Sequence, residues 1–421
     1  MRRLIASSTI LALAAAGGMV TASVAGAAQA TDTARKTPTS FAFKASGYGT
    51  DVKGGQVSAG SQGTAFQAFG CSNLAGIDKD NYVAEVELPG AGVAQGVGTR
   101  LWTASKKGVT STYATSRTAS VTLGESALGS VVLTAISSKT RTWHDDTGFH
   151  SRAESAIGDI TFTPTGAPAQ DIPVPAPGQS VTIPGVATIS LGAGRTQVND
   201  DSAKAITDGV RIDVIPTDTT VKVAHARAIL ERGVKSGLMH GHASGAQASA
   251  LTDYARIGQT PLSLMPCRGT DGKERSKSIA SVDLGNNAVI SGLTTRELGK
   301  QTADRAKGYE LSKVDTVTLG AQDLVIKGVI GRANVLLSGG KVSSSTDGTE
   351  TGTVSFQGEP QEFPANGDPM EIPGVAKLEP NIVEQTNHGI SVIALRVTLL
   401  DGSGLVLDLG EAELGIKPAK G

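Results

Sequence analysis

The sequence predicts an all-β protein made of two tandem copies of a β-sandwich-like or barrel-like unit, each of about 190 residues. Three observations carry this. Apolar and polar residues alternate with period two along short runs bounded by Gly, Pro, Asn and Asp. Gly is abundant (53 of 421 residues), while charged residues (18%) and aromatics (4%) are scarce; together with frequent Thr, Val and Ser, this favours strands and turns over helices. Finally, Cys267 lies 196 positions after Cys71, and the same offset matches residue after residue downstream of each cysteine.

The chain opens with Met1-Arg2-Arg3, continues through the apolar LIASSTILALAAAGGMVTASVAG and reaches Ala28-Gln29-Ala30, a small-x-small cleavage pattern. This predicts a secretory signal peptide over residues 1–30, too short and too rich in Gly, Ser and Thr for a permanent span. The mature chain then begins near Thr31, with 31–40 as a linker. Removing Arg2 and Arg3 with the leader takes the formal net charge from −1 to −3, which gives no reason to expect nucleic acid or an anionic membrane as partner. No second apolar run of about 18 residues follows, the sequence ends LGIKPAKG without a hydrophobic tail, and no Leu-Pro-x-Thr-Gly occurs. The expectation is an extracellular protein, released or loosely held at the cell surface, with no integral membrane segment after cleavage.

At the offset of 196, Val86 falls on Val282, Leu88 on Leu284, Val93 on Val289 and Gly96 on Gly292. Thr99-Arg100 falls on Thr295-Arg296, Tyr113 on Tyr309, and VTLG at 121–124 on VTLG at 317–320. The offset then drifts to 189 at the two IPGVA stretches (183–187 and 372–376), and to about 185 where Val210-Arg211-Ile212 meets Leu395-Arg396-Val397, as small deletions in surface loops would cause. The copies span roughly 41–234 and 235–418.

Within a copy, YVAEVEL sets Tyr82, Ala84, Val86 and Leu88 on one face against Val83, Glu85 and Glu87, and SIASVDL repeats this with Ala280, Val282 and Leu284: a sheet with one wet side. RTASVTLG, SVVLTAIS, IGDITFT, SVTIPGVATISLG and GVRIDVI continue the strand series. ALRVTLLDGSGLVLDLG predicts a hairpin turning at Asp401-Gly402, and its counterpart GVRIDVIPTDTTVKVAHA turns at Pro216 to Asp218. VAHARAILERGVK (223–235) contains good helix formers, but its equivalent LGEAELGI ends a hairpin, so 223–230 is expected to be strand.

The paired arrangement GCSNLAG, YVAEVELPG, GVGTR, VTLGESALG and MPCRGTDGKERSKSIASVDLG, GLTTRE, VTLGAQDL, followed by IPGVATISLG and VAHARA, resembles the secreted actinobacterial proteins called the choice-of-anchor P family, over nearly all of the mature chain. The resemblance implies export and surface attachment through a carboxyl-terminal anchor, and brings no catalytic residues with it. This sequence shows no such anchor.

Neither a Gly-x-Ser-x-Gly elbow nor a His-Glu-x-x-His helix is present. His240 and His242 stand two apart, so a strand would point both the same way toward Zn²⁺, with His225 as third ligand. The plainer alternative, two polar residues at the junction, weighs more because no Cys or carboxylate sits nearby at ligand spacing, and no metal or cofactor is expected. Asp145 and Asp146 in WHDDTG, and VNDDSA at 198–203, could offer oxygens to Ca²⁺, although turn-forming Asp accounts for both. Trp102 aligns with Leu298 and is expected in the core; Trp143, beside His144-Asp145-Asp146, is the candidate for an exposed sugar-binding ring. Arg100 and Arg296 are expected to pair with carboxylates at strand ends.

In an oxidising compartment Cys71 and Cys267 are expected to form one disulfide near a pseudo-twofold axis, the alternative being two buried thiols each packed in its own copy. The residues shared by the copies are Gly, apolar alternators and Cys, all of which maintain a fold. The functional expectation is therefore a non-catalytic secreted or cell-envelope structural or adhesive protein, with a cell-wall or extracellular polymer as partner. The alternatives are a polysaccharide-active hydrolase or lyase with its site between the copies, and a Ca²⁺-stiffened carbohydrate-binding module.

Overall fold

The computed structural model describes residues 36–54, 63–250, 257–284, 288–319, 323–364, 367–402 and 404–420; the expected signal peptide lies outside them. Period-two alternation produces strands throughout, and no helix occurs among the described residues. The first copy contains β1 (Thr37–Gly54), β2 (Gln67–Ala75), β3 (Asp78–Leu88), β4 (Gly92–Lys106), β5 (Val109–Ser126), β6 (Gly129–Asp145), β7 (Gly148–Ala156), β8 (Ile160–Pro164), β9 (Gln170–Ile172), β10 (Ser180–Ile183), β11 (Ala187–Leu191), β12 (Arg195–Asn199), β13 (Ser202–Val214) and β14 (Thr219–Arg232). The second contains β15 (Gly237–Ala250), β16 (Ile257–Leu264), β17 (Arg275–Asp283), β18 (Ala288–Gln301), β19 (Arg305–Leu319), β20 (Leu324–Ser338), β21 (Lys341–Ser345), β22 (Thr353–Phe356), β23 (Glu359–Gln361), β24 (Met370–Ile372), β25 (Ala376–Thr386), β26 (Gly389–Leu399) and β27 (Leu405–Pro418). Residues 37–40, expected as the end of a linker, already belong to β1, and 223–230 lies within β14.

Each copy is a sandwich of two antiparallel sheets. Sheet I runs β10-β11-β13-β14-β1-β2 with β12 beside β13, and sheet II runs β3-β4-β5-β6-β8-β9 with β7 beside β6. Sheet III runs β16-β15-β27-β26-β25-β24, and sheet IV runs β17-β18-β19-β20-β22-β23 with β21 beside β20. The two orders correspond strand for strand, with the long β25 lying along β26 where β11 and β12 separately line β13.

The repeat extends to single contacts. Ser116 Oγ on sheet II donates to the Tyr48 carbonyl on sheet I at 2.9 Å, and 196 positions later Ser312 Oγ on sheet IV donates to the Ser244 carbonyl on sheet III at 2.7 Å. Gly49 faces Val97 so closely that a Cβ would lie 1.7 Å from a Val97 methyl; its equivalent Gly245 faces Leu293 at 2.9 Å. The sheets touch at these points, where only glycine fits. Apolar clusters lie on either side of this contact. In the first copy Leu133, Ile189 and Ile212 pack in one cluster and Phe43, Leu101 and Leu230 in the other; in the second, Leu293, Ile326 and Leu409 pack opposite Met239, Leu414 and Ile416.

Two expectations about strand faces are corrected. Tyr82 and Ala84 are exposed and only Leu88 of that face is buried, because β3 is an edge strand with a neighbour on one side alone; β17 behaves likewise, with Ala280 exposed. Trp102 is not in the core. Its neighbours Leu101 and Thr103 are buried at 0% and 3%, so alternation turns the indole onto the outer face of sheet II.

Candidate functional site

The joint between the copies is built from the cysteines outward. Cys71 on β2 and Cys267, just after β16, form a disulfide with Cα atoms 5.4 Å apart. Equivalent residues this close cannot belong to units related by translation through a sandwich width. Both copies supply contacts around the bond. Asn73, 2% exposed in the first copy, donates through Nδ2 to the Lys420 carbonyl (2.7 Å) at the end of the second. Arg268 of the second copy donates its N–H to Glu231 (3.3 Å) and its guanidinium to Asp201 (3.2 Å) of the first. Burial pushes the Glu231 carboxyl above its ordinary range, against the pull of the Arg268 and Cys267 N–H groups and the Arg268 charge. The expected turn acid Asp201 therefore also bridges the copies, which no local pattern could reveal because Arg268 lies far away in sequence.

A row of stacked side chains crosses the outer face of sheet II. Trp102 on β4 stacks on Tyr113 of β5 (4.6 Å between centroids, planes 5° apart), Tyr113 stands opposite Arg141 of β6, the Arg141 guanidinium lies 4.5 Å from the Trp143 centroid, and Trp143 stacks on His150 of β7 at 4.9 Å. Arg100 closes the far end over Trp102 at 5.5 Å, itself held by a two-bond contact with Asp78. The ring faces cover one another, so the row is a cross-strand ladder that ties four strands together. Trp143, expected as an exposed sugar-binding ring, is half-buried inside this ladder.

Asp145 serves the same ladder. It accepts from Trp143 Nε1 (3.1 Å), from the Thr147 N–H (2.9 Å) and hydroxyl (2.7 Å), and lies 3.0 Å from His150 Nε2. These bonds, the Thr147 hydroxyl first, hold its carboxyl well below the usual carboxylate range. Asp146 is exposed at the turn. The pair accordingly shapes the β6–β7 turn rather than presenting a free oxygen cage.

The three histidines do not converge. His225 sits on sheet I, bonded to Asp208 (2.7 Å) and stacked on Tyr48 (4.5 Å). His240 and His242 share β15 on sheet III but differ in state. Burial lowers His240 to about 4 and keeps it neutral, while Glu411 at 3.1 Å raises His242 and favours its charged form. Among the described residues no group of three or more His, Cys, Asp or Glu is placed to hold a metal ion. Arg100 lies 2.6 Å from Asp78 and Arg296 3.7 Å from Glu274, so the expected pairing with a carboxylate occurs in both copies, although both arginines stand mid-strand rather than at a strand end.

Sequence reasoning missed two features of the second copy. Glu297 and Glu310 stand opposite each other on β18 and β19, facing inward at 5% and 0% exposure. Glu310 Oε1 and Glu297 Oε2 have no hydrogen-bond partner among the described residues, and burial followed by the neighbouring Glu297 pushes Glu310 up to about 9. These acids lie inside one sandwich rather than between the copies, and neither lines any of the described cavities. On the other face of the same two strands, one rung along, an open groove of about 620 Å³ runs past Leu298, Tyr309 and Leu336. Its position in the second copy is the position of the ladder in the first.

With this geometry in hand, comparison with known proteins identifies no relative: no family model, no curated protein and no solved structure matches the chain.

Proposed function

We propose that the protein is exported and works outside the cell as a non-catalytic structural or adhesive module, holding two β-sandwiches at a fixed mutual disposition and presenting their outer faces to an envelope or extracellular polymer. The observation that carries this is the Cys71–Cys267 bond: it joins equivalent residues of the two copies, and such bonds persist in oxidising compartments. The contacts of Asn73 and Arg268 across the joint support a rigid connection. The leader-like residues 1–30 and the resemblance to the choice-of-anchor P family point the same way. The hydrolase alternative draws no support from Glu297 and Glu310, which are sealed between sheets where no polysaccharide reaches them. The bonds Asp145 already makes weigh against a Ca²⁺-stiffened loop at 143–148.

Fractionation of cells making the full chain, with thiol alkylation and mass spectrometry, tests this reading. The expected product is extracellular, begins near Thr31, carries the Cys71–Cys267 bond and co-sediments with insoluble envelope material. A cytoplasmic chain that retains Arg2-Arg3 and alkylates at both cysteines contradicts it.

A further inference from the structure

The duplication provides an internal control, because every position on the outer face of sheet IV has a counterpart on sheet II. Tyr113 and Tyr309 are kept. Around them the large rings are lost: Trp102 becomes Leu298, Trp143 becomes Leu336 and His150 becomes Ser343, pairs that follow from matching registers across the strands. At the same time the cations are rearranged: Val109 is replaced by Arg305 and Ser111 by Lys307, while Arg141 gives way to Asn334. Small side chains open the groove, and the new cations line it.

Arg332, equivalent to Lys139 of the first copy, is a third cation of the groove. Its guanidinium lies 4.5 Å from the Tyr309 centroid, and Nε donates to Asn334 Oδ1 at 3.0 Å, so the group is held in place while its Nη atoms have no hydrogen-bond partner among the described residues. None of Arg305, Lys307 and Arg332 forms an ion pair with an acid among the described residues, whereas the nearby Arg296 is matched by Glu274. Unmatched cations gathered beside two Leu and a half-buried Tyr, whose hydroxyl is taken up by Glu274, favour a ligand that brings both carboxylates and flat apolar faces. The Ser343 hydroxyl adds a polar contact at the rim, while the Asn334 amide is taken up by Arg332 and by the Ser345 and Asp347 carbonyls.

We propose that this groove on the second copy is a binding site for a carboxylated oligosaccharide, whose ring faces lie on Leu298, Leu336 and the face of Tyr309 that Arg332 does not cover, and whose carboxylates meet Arg305, Lys307 and Arg332. The proposal rests on the reading of the protein as a non-catalytic polymer binder and names the ligand class and the face. A volume of about 620 Å³ falls within the usual range for small-ligand sites. A pyranose carrying a carboxylate suits the site better than an acidic peptide, whose side chains offer charge without a flat apolar face.

Calorimetric titration of the mature, disulfide-bonded protein at low salt tests the site, using tetragalacturonate, uncharged maltotetraose and tetraglutamate as probes. Tetragalacturonate is expected to bind, more weakly as salt rises. Its affinity is expected to fall about tenfold or more in Arg305→Gln/Lys307→Gln, and again in Leu336→Trp, which returns the first copy's ring to the groove. Melting temperatures of the variants confirm that they fold. Both native tryptophans lie in the first copy, so ligand binding leaves the wild-type tryptophan emission unchanged.

Equal affinity for maltotetraose or tetraglutamate, unchanged affinity in both variants, or no binding by any probe overturns the proposal. If envelope material binds wild type and Arg305→Gln/Lys307→Gln alike, the polymer-binding reading stands and only the groove assignment falls.

Discussion

Glu297 and Glu310 face each other across β18 and β19 at the rung where the first copy places Leu101 opposite Ala114, so one sandwich buries two carboxyls where the other buries hydrocarbon. Glu310, pushed up to about 9, stays protonated in the folded protein over the range in which an unfolded Glu ionises. The folded state then binds more protons than the unfolded one. Stability is fully present below the unfolded value of 4.5 and falls as pH rises from there toward 9. Glu310→Gln keeps the shape and removes the titration. We expect it to match wild type near pH 4 and to exceed it by up to about 5 kcal/mol near pH 8 in denaturant unfolding. An unchanged pH slope in the variant counts against a protonated Glu310.

The disulfide closes a loop across 196 residues, a constraint worth about 5 kcal/mol against the unfolded chain in the chain-entropy model. Reductant, or Cys71→Ser/Cys267→Ser, should lower the unfolding midpoint and separate the single transition into two, one for each sandwich. A midpoint insensitive to reductant contradicts this.

In the outer ladder of sheet II, the guanidinium between Tyr113 and Trp143 is planar, and an ammonium cannot reproduce its stacking. Arg141→Lys is expected to cost about 1 kcal/mol and to shift tryptophan emission, since both tryptophans stand in the row. Unaltered emission and midpoint would show that the stack contributes nothing.

His240 and His242, two residues apart on β15, are shifted in opposite directions from the ordinary histidine value. His240, lowered to about 4 by burial, contributes stability present above 6.5 and lost as pH falls through its folded value. His242, raised by Glu411, contributes stability present below 6.5 and lost as pH rises through its folded value. NMR titration of the ring protons checks both: His240 should remain neutral at pH 5, and His242 should still be charged at pH 6.5. Coincident midpoints near the ordinary histidine value would contradict the assigned environments. The ring of His240 also packs over Gly415, where a Cβ would approach to 2.4 Å, so Gly415→Ala should destabilise the protein.

The strands, the duplication and the β26–β27 hairpin were legible because period-two alternation and a fixed offset are properties of the chain itself. The face of Trp102 was not. In TRLWTAS and TRELGKQ the apolar pair Trp102/Leu298 argues for the inside and the mixed pair Leu101/Glu297 for the outside, but the second copy buries Glu297 and the alternation is inverted. Tyr82 misled for another reason: an edge strand carries an apolar face without a second neighbour to cover it. The groove on sheet IV depends on where β21 lies beside β20, and Asp201 reaches Arg268 only across the joint. Both are tertiary facts that no local pattern contains.

The central claim is that the outer face of sheet IV, where the copies differ in ring size and charge, is the face that binds the ligand. Hydrogen exchange read by mass spectrometry, with and without saturating tetragalacturonate, tests it most directly. Protection confined to the segments around 305–309, 332–336 and 343–345 is predicted. Protection centred on 102–113 and 141–150, or on the joint around Cys71 and Cys267, would contradict it.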